Sequence, residues 1–219
     1  MKDTILIQQV YPGYGFEGML TLTEAHHRDY CELYGMDYQA VYDEVFPHDP
    51  VIGSYAKIEL IQRAMQQGYE YIIWLDADTL IKDISADLRD ALVLKKIGAC
   101  WHRIPQLKHW NVGALYIDNC HATEKFIHEW RGVYPPPKDG WNEQGVFNRL
   151  AMQSDCVVTV SDKWNATIDV SMVPDAVVLG FHGQGDAAFR TQFMTDIMQK
   201  LFPQPVQIEA SVGVKEYGS

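Results

Sequence analysis

Two carboxylates stand two residues apart directly after a run of bulky apolar residues. Asp76 and Asp78 follow Tyr71–Leu75, a run without polar alternation that is typical of a strand covered on both faces. Carboxylates this close repel each other unless a cation lies between them, and hard oxygen ligands suit a divalent cation that also binds phosphate. The pair predicts a metal site for a phosphorylated ligand; the alternative is structural, with Asp78 capping a turn and Asp76 solvated.

The net charge limits how such a site can bind an anion. The 219 residues carry 18 Lys and Arg against 29 Asp and Glu, a formal net charge of −11 at pH 7. This balance excludes a protein whose whole surface binds nucleic acid or anionic lipid. A diphosphate cannot approach two bare carboxylates in such a chain, and a divalent cation that neutralises both groups removes that obstacle.

Length and composition predict one globular domain. Of the 219 residues 47% are apolar, and no window approaches the roughly 18 consecutive apolar residues of a spanning helix. The N-terminus has no cleavage-site pattern, so we expect a soluble, non-secreted, cytoplasmic protein without membrane contact. The cysteines have no metal-binding or disulfide spacing and are expected to be reduced and packed: Cys31, Cys100, Cys120 and Cys156.

The elements that must position the carboxylates alternate between strands and helices. Apolar, β-branched runs predict strands at Thr4–Val10, Tyr38–Tyr42 and Tyr71–Leu75. Between them, Thr23 is expected to cap a helix that ends at Gly35, and Ser54 to open one that ends at Gly68. Further strands and helices are predicted at Ile97–His102, Val112–Ile117, Val157–Val160 and Val177–His182, and at His121–Arg131, Asn142–Met152 and Asp186–Leu201.

This order predicts an α/β fold with a mixed, mostly parallel sheet flanked by helices. In such folds ligands bind at the carboxyl ends of the strands, so functional residues should follow strands. We expect one domain over residues 1–202 and a poorly patterned tail over 203–219, with Val206 and Ile208 as a candidate edge strand. Pro135–Pro137 is interpreted as a stiff surface loop because regular patterns resume on both sides.

Glycines follow one histidine in a pattern that suits an anion. Gly183 and Gly185 allow backbone N–H groups to approach a phosphate, and the helix predicted from Asp186 offers its positive end. Asp186 itself is expected to cap that helix, which weakens the anion site. His182 beside them is a candidate ligand, although a lone histidine more often simply ends a strand.

Other polar residues at predicted strand ends are candidates for contacts with a ligand. Asn111 and Gly113 open a predicted strand, where a free amide can pair with hydroxyl groups; a plain bulge or turn is the alternative. Lys57 is placed to contact a ligand or to be solvated on its helix. Tyr11, just past the first strand, could stack on a nucleobase or lie in the core.

Two families share the motif at the strand end. Asp76-Ala77-Asp78-Thr79 satisfies the Asp-x-Asp-x-Thr pattern of haloacid-dehalogenase-type phosphatases, in which Asp76 would be the nucleophile. That pattern follows the first strand in those phosphatases, whereas here it follows the third, and no downstream Lys with an acidic metal motif is evident. The phosphatase remains an alternative, as does a non-catalytic nucleotide- or sugar-binding module.

The better resemblance is to glycosyltransferases of the GT-A fold, a Rossmann-like nucleotide-diphospho-sugar transferase architecture. The chain is similar to the retaining galactosyl-, mannosyl- and xylosyltransferase family (family 34-like) known from fungal Golgi and plant xyloglucan synthesis. The resemblance spans about Thr4–Arg190 and rests on motifs in order: His27–Cys31 with Tyr34–Tyr38, Ser54–Lys57, Trp74–Leu80, Asn111–Leu115, Asn142–Gln144 and Leu179–Gly183.

The resemblance implies a role for each matching residue. Asp76, Asp78 and His182 would hold a metal ion, and an imidazole among oxygen ligands favours Mn²⁺ over Mg²⁺. Donor-binding residues would be Tyr11, Lys57, Asp76, Gly113, Gly183 and Gly185, and catalytic residues would be Glu143, Gln144 and Asn111. The family usually has Asp where Asn142 stands, which leaves Glu143 as the one carboxylate of that cluster; a capped first turn of a helix is the plainer interpretation.

An acid-free segment points to the acceptor. Residues 95–110 contain four Lys and Arg, two His and no Asp or Glu, a local reversal in a chain of net charge −11. Trp101 and Trp110 interleave with these cations, and Trp101, Arg103 and Trp110 are the candidate acceptor contacts. The combination suits stacking on a sugar or an exposed base beside phosphate contacts. A solvated basic face with two core tryptophans is the alternative.

These observations predict a metal-dependent retaining glycosyltransferase. It would move a hexose or pentose from a nucleoside diphosphate donor, UDP-linked, to a hydroxyl acceptor, which could be a glycan, a small molecule or a hydroxylated DNA base. For retention, the resemblance implies same-face attack assisted by the departing phosphate, because no well-placed nucleophile is evident.

Overall fold

The computed structural model describes residues 2–10, 15–42, 53–104, 107–134, 142–168, 172–183 and 185–203. Within these ranges, the side chains of residues 103, 104 and 107 are left aside. Three predictions therefore lie outside the described residues: the nucleobase contact of Tyr11, the loop at Pro135–Pro137 and the tail from residue 204 onward.

Nine strands lie in the described ranges and form two sheets. The strands are β1 (Thr4–Gln9), β2 (Asp37–Val41), β3 (Tyr71–Leu75), β4 (Thr79–Ile81), β5 (Ile97–Ile104), β6 (Leu107–Asp118), β7 (Val157–Val160), β8 (Ala166–Thr167) and β9 (Val178–Gly180). The large sheet has the order β2-β1-β3-β6-β5-β7, and the small sheet has the order β4-β9-β8. In the large sheet only β6 runs against the other strands, which confirms a mixed, mostly parallel sheet.

Helices cover both faces of the large sheet. Those on the large sheet are α1 (Glu17–Leu33), α2 (Ala56–Gln66), α3 (His121–Gly132) and α4 (Asn142–Ala151), whereas α5 (Ala187–Leu201) packs against α1 and the small sheet. In β3, Ile72 and Trp74 pack towards α2, α3 and α4, whereas Ile73 and Leu75 pack towards α1. Both faces of β3 are therefore covered, which explains its uninterrupted apolar run. None of the helices in the described part of the chain is long and apolar enough to cross a bilayer.

Two predicted helix starts are wrong by different amounts. Helix α1 begins at Glu17 rather than at Thr23, whose buried hydroxyl donates to the Met19 carbonyl 3.2 Å away. A threonine hydroxyl can cap a helix or bond back to the preceding turn, and here it bonds back. Helix α2 begins two residues after Ser54, with Tyr55 in the N-cap position. Asp186 caps α5 as predicted, since its carboxylate accepts from the Phe189 N–H.

The hairpin of β5 and β6 is longer than its sequence predicts. Strand β6 begins at Leu107, whereas the sequence predicts its start at Val112. The prediction misses the first residues because they are aromatic and basic and lack the apolar pattern of a strand. The register shifts between Ala99 and Cys100, so that Ala99 faces Leu115 while Cys100 faces Asn111. The segment around Gly113 therefore bulges away from β5 and stays available to the end of β3.

We expect the central strand to carry much of the stability. Ile73→Ala removes a side chain that is fully buried between β3 and α1, and we expect a loss of about 2–5 kcal/mol in the free energy of unfolding. Leu94→Ala, at a side chain that is 75% exposed, is the control and should change it by less than about 0.5 kcal/mol. Urea unfolding measures both, and equal losses would contradict this account of the core.

Candidate active site

Sheet pairing brings His182 to the Asp76–Asp78 motif. The motif joins β3 to β4, and β4 pairs antiparallel with β9, which ends just before His182. The Phe181 N–H donates to the Asp78 carbonyl at 2.9 Å, and His182 Nδ1 lies 3.1 Å from Asp78 Oδ1. The small sheet therefore joins residues that are about a hundred positions apart in the chain.

The side chains of Asp76, Asp78 and His182 fit a divalent cation. One ligand atom from each residue lies within 4.8 Å of the others. Two glycines leave room for the imidazole: a Cβ on Gly113 would lie 2.5 Å from His182 Cε1, and one on Gly180 would lie 2.7 Å from His182 Nε2. The donor set of two carboxylates and one imidazole, and the space around it, therefore fit a divalent metal ion.

Asp78 is buried between His182 and Arg190. Arg190 Nη1 lies 2.5 Å from Asp78 Oδ2, on the opposite side of the carboxylate from His182. Burial by itself raises the pKa of Asp78, but the charges of His182 and Arg190 outweigh it and hold that pKa well below its usual range. Burial opposes the charged form of His182, yet the Asp78 carboxylate raises the pKa of the imidazole overall.

Arg190 was not anticipated from the sequence. It stands one turn into α5, four residues after the cap Asp186, and its guanidinium carries a buried Nε that has no hydrogen-bond partner among the described residues. A basic residue in the first turn of a helix that follows a glycine loop is the signal that points to it. Gly183 and Gly185 in that loop have φ of 74° and 63°, which L side chains rarely adopt.

Lys57 is a buried cation between two carboxylates. Its Nζ lies 2.9 Å from Asp76 Oδ1 and 3.5 Å from Glu143 Oε1, and it donates to the Val112 carbonyl at 3.0 Å. Burial opposes its charge, but Asp76 and Glu143 outweigh that effect and raise the pKa of Lys57. Of the two predicted roles, a solvated helix lysine is therefore wrong, because the side chain is only 4% exposed.

Asp76 is oriented from three sides. Its Oδ1 accepts from Trp74 Nε1 at 2.7 Å as well as from Lys57, and its backbone N–H donates to the Gly113 carbonyl at 2.7 Å. The alternative interpretation, in which Asp76 is only solvated, is therefore wrong, because its carboxylate has fixed partners in Trp74 and Lys57. Beside it lies a cavity of about 210 Å³, lined by Gln9, Val10, Phe16, Ser54, Lys57, Trp74, Asp76, Ala77, Asp78, Glu143 and Arg190.

Gln9 is a cavity residue that sequence reasoning missed. It ends β1 and is buried, yet neither its amide oxygen nor its amide nitrogen has a hydrogen-bond partner in the described part of the chain. A buried amide without partners is costly, and a ligand in the cavity would supply them. The only sequence signal is its position at the carboxyl end of a parallel strand.

Asn111 and Gln144 line the bulge of β6 with their amides engaged. Asn111 Oδ1 accepts from the Gly113 N–H at 2.6 Å, and Gln144 Oε1 accepts from the Val112 N–H at 3.2 Å. Helix α4 is held to β6 by Asn148, whose amide pairs with both the N–H and the carbonyl of Trp110. These contacts bring Asn111, Glu143 and Gln144 to the same edge as the metal motif, as predicted from their places in the fold.

His102 is a further polar residue that the sequence did not single out. Its Nε2 lies 3.0 Å from Thr167 Oγ1, and both of its ring nitrogens lie 3.3 Å from Asn111 Nδ2. Burial and the neighbouring His182 and His109 lower the pKa of His102 to about 4. The ring is therefore neutral at neutral pH, and it contacts the amide nitrogen of Asn111.

The basic segment does not form one patch. Lys96 precedes β5 and pairs with Asp155, whereas Lys108 is exposed near the tip of the hairpin, opposite Arg103. Arg103 lies seven residue positions after Lys96 along the strand, which places the two backbone positions about 23 Å apart. Trp101 and Trp110 face each other edge to face, with ring centroids 4.5 Å apart, on the other face of the hairpin from His102.

Comparison with known proteins identifies the family of this site. The sequence profile of the galactosyl transferase GMA12/MNN10 family matches residues 15–155, about two thirds of the chain and including Asp76, Asp78, Asn111 and Glu143. No curated protein sequence matches the chain at a significant level.

Solved glycosyltransferases share the fold. A glycosyltransferase involved in glycosylation of the major capsid of the virus PBCV-1 superposes with a TM-score of 0.71 at 16% identity, over 88% of this chain and 98% of that chain. Galactosyltransferase LgtC, solved with donor and acceptor sugar analogs, gives a TM-score of 0.52 at 16% identity, over 92% and 98%. GlyE of Streptococcus pneumoniae gives 0.55 at 14%, over 85% and 56%. These likenesses agree with the predicted GT-A fold.

The space beside His182 gives a direct test of the metal centre. We expect Gly113→Ala to displace the imidazole, because its new Cβ would lie 2.5 Å from His182 Cε1, and so to weaken Mn²⁺ binding at least about tenfold. Gly132→Ala is the control, since no atom lies within 4 Å of its added Cβ. Titration of Mn²⁺ followed by electron paramagnetic resonance measures both, and unchanged affinity in Gly113→Ala would contradict the assignment.

Proposed function

Because the chain belongs to the galactosyl transferase GMA12/MNN10 family, we propose that this glycosyltransferase is metal-dependent and retaining, and that it uses a UDP-linked donor. The observation that carries the proposal is the convergence of Asp76, Asp78 and His182 within 4.8 Å, with both aspartates lining the cavity. Asp76 is held by Lys57 and Trp74 rather than presented as a nucleophile, which argues against the phosphatase alternative.

The cavity has cations where a diphosphate needs them. Lys57 and Arg190 line it, and the unpartnered Nε of Arg190 is a donor that a phosphate oxygen can accept from. Asp76, Asp78 and His182 would hold Mn²⁺ or Mg²⁺, which when bound supplies a Lewis acid for the leaving diphosphate. Gly183 and Gly185 lie in the loop between His182 and α5, and the Gly185 N–H donates to the Gly183 carbonyl at 3.2 Å, so a phosphate would have to displace that contact to reach the Gly185 N–H.

Glu143 and Gln144 are proposed to stabilise the reacting sugar. Glu143 is fixed by Lys57 at 3.5 Å, so its carboxylate contributes negative potential near the sugar rather than a mobile nucleophile. Gln144 keeps its NH₂ group for a hydroxyl while its oxygen accepts from Val112. Asn111 supports the same surface from β6.

We infer that the acceptor attacks the sugar on the same face from which the nucleoside diphosphate departs. The bond between the sugar anomeric carbon and the diphosphate oxygen breaks, and the bond from the acceptor oxygen to the same carbon forms. The acceptor proton passes to the departing phosphate oxygen, which gives the glycoside and the nucleoside diphosphate. Three carboxylates line the described part of the cavity, and each is paired: Asp76 and Glu143 with Lys57, and Asp78 with His182 and Arg190. Paired carboxylates favour this route over a covalent intermediate.

The tip of the β5–β6 hairpin is proposed as the acceptor surface. Trp101 and Trp110 offer aromatic area, and Lys108 offers an exposed charge at the same end of the strands as the metal motif. A hydroxyl acceptor that carries phosphate, such as a hydroxylated base in DNA, fits this combination. Lys95 and Lys96 are excluded from this surface by their place at the other end of β5.

The donor proposal is tested by thermal shift with nucleotide sugars. We expect UDP-sugars with Mn²⁺ to raise the melting temperature of the protein. A ligand at 100 times its Kd that binds only the folded state adds about 2.7 kcal/mol to the free energy of unfolding. Asp78→Asn should abolish the shift and the Mn²⁺-dependent hydrolysis of the donor. Asp118→Asn, at the opposite edge of the sheet, should keep both. A UDP-sugar shift in Asp78→Asn that still requires Mn²⁺ would overturn the metal assignment.

The acceptor proposal separates the two ends of the basic segment. We expect Lys108→Glu to weaken binding of a hydroxymethylated oligonucleotide and to reduce the salt dependence of that binding, because one phosphate contact is lost. Lys96→Glu should leave both unchanged. Fluorescence anisotropy across a salt series measures these effects, and glycan transfer with no oligonucleotide binding would replace the DNA acceptor with a carbohydrate one.

A further inference from the structure

A chain of buried hydrogen bonds runs from helix α1 to the metal motif without touching the cavity. The Ile81 N–H donates to His27 Nε2 at 3.0 Å, so that nitrogen carries no proton. The proton of the neutral ring must then lie on Nδ1, which donates to Gln8 Oε1 at 2.7 Å. Burial lowers the pKa of His27 to about 3, which agrees with a neutral ring at neutral pH.

Gln8 links His27 to Asp76 through hydrogen bonds. Its Oε1 accepts from His27 and also from the Tyr38 hydroxyl at 2.9 Å, so the amide orientation is set by two donors. The amide nitrogen then faces the metal motif and donates to the Asp76 carbonyl at 3.3 Å. The side chain of Gln8 is fully buried, and its three contacts define the role of each of its polar atoms.

The chain of bonds encloses both ends of the metal motif. Gln8 donates to the carbonyl of Asp76 where the motif begins, a carbonyl that also accepts from the Thr79 N–H at 3.1 Å and the Thr79 hydroxyl at 2.7 Å. His27 accepts from the N–H of Ile81 at the end of β4. The neighbouring His26 binds the carbonyl of Ile81 through Nε2 at 2.7 Å. Strand β4 is only three residues long, so these side chains supply restraint that its few ladder bonds cannot.

We propose that Gln8 and His27 are positioning residues for the metal centre. They set the backbone between Asp76 and Ile81, and thereby the separation of the Asp76 and Asp78 carboxylates, before any ligand binds. This inference rests on the proposed metal site and assigns it a support on α1, a helix that contributes no metal ligand. Groups that orient metal ligands commonly change affinity by 10- to 100-fold when they are removed.

The test compares metal affinity with stability in four variants. Gln8→Met keeps the length of the side chain and removes its hydrogen bonds, and His27→Phe keeps a ring and removes both nitrogens. His27→Asn retains an N–H near the position of Nδ1 and so keeps the bond to Gln8. The matched control is Tyr30→Phe, which breaks two bonds from the same buried face of α1, to Ala86 and Leu88, and leaves Asp76 untouched.

The measurements are the Kd for Mn²⁺ alone, by electron paramagnetic resonance, and the melting temperature. We expect Gln8→Met and His27→Phe to raise the Kd about tenfold or more, and His27→Asn to raise it less than His27→Phe does. Tyr30→Phe should lower the melting temperature with no change in Kd. If His27→Phe does not fold, Gln8→Met and His27→Asn still decide the question.

Two outcomes would overturn the proposal and are distinguishable. Variants that melt at lower temperature but bind Mn²⁺ with wild-type affinity would reduce Gln8 and His27 to structural residues, with the proposed metal site intact. A wild-type protein that binds no Mn²⁺ would remove the metal site itself, and the positioning role with it.

Discussion

The buried ammonium group of Lys57 is the interaction on which the site depends. It lies between Asp76 and Glu143 and also donates to Val112, so a single charge joins α2 to the end of β3, the bulge of β6 and the first turn of α4. Burying one unpaired carboxylate is costly, and removing one partner from a buried ion pair destabilises a protein by about 3–5 kcal/mol. Because Lys57 neutralises this region, an acidic chain can place two carboxylates at the base of a cleft that binds an anion.

A second cluster of basic side chains pairs with the buried carboxylate of Asp78. His182 and Arg190 contact opposite oxygens of that carboxylate, and they come from the end of β9 and from α5. A metal ion held by Asp78 would share that carboxylate with Arg190, whose side chain also lines the cavity. Together the two clusters pair each carboxylate that lines the described part of the cavity with a basic side chain.

Sheet geometry makes both clusters possible. The bulge in β6 frees Gly113 from β5, so its carbonyl accepts from Asp76, while its missing side chain leaves room for His182. The small sheet of β4, β8 and β9 then carries His182 to the motif. Gln8 and His27 hold the other side of this junction through directional hydrogen bonds, which rigid strands alone cannot supply over three residues.

The sequence by itself determined the order of strands and helices, the carboxylate motif after β3 and the resemblance of the segments around Asn111, Glu143 and His182 to one family. These features are local, because apolar periodicity and short motifs are properties of neighbouring residues. Only the tertiary structure decided that Lys57 is buried, that Arg190 and Gln9 reach the cavity, that the basic segment divides between two ends of β5, and that His27 acts on Asp76 through Gln8. Each of these depends on contacts between residues far apart in the chain, where burial and pairing partners set the state of a side chain, and no spacing in the sequence encodes them.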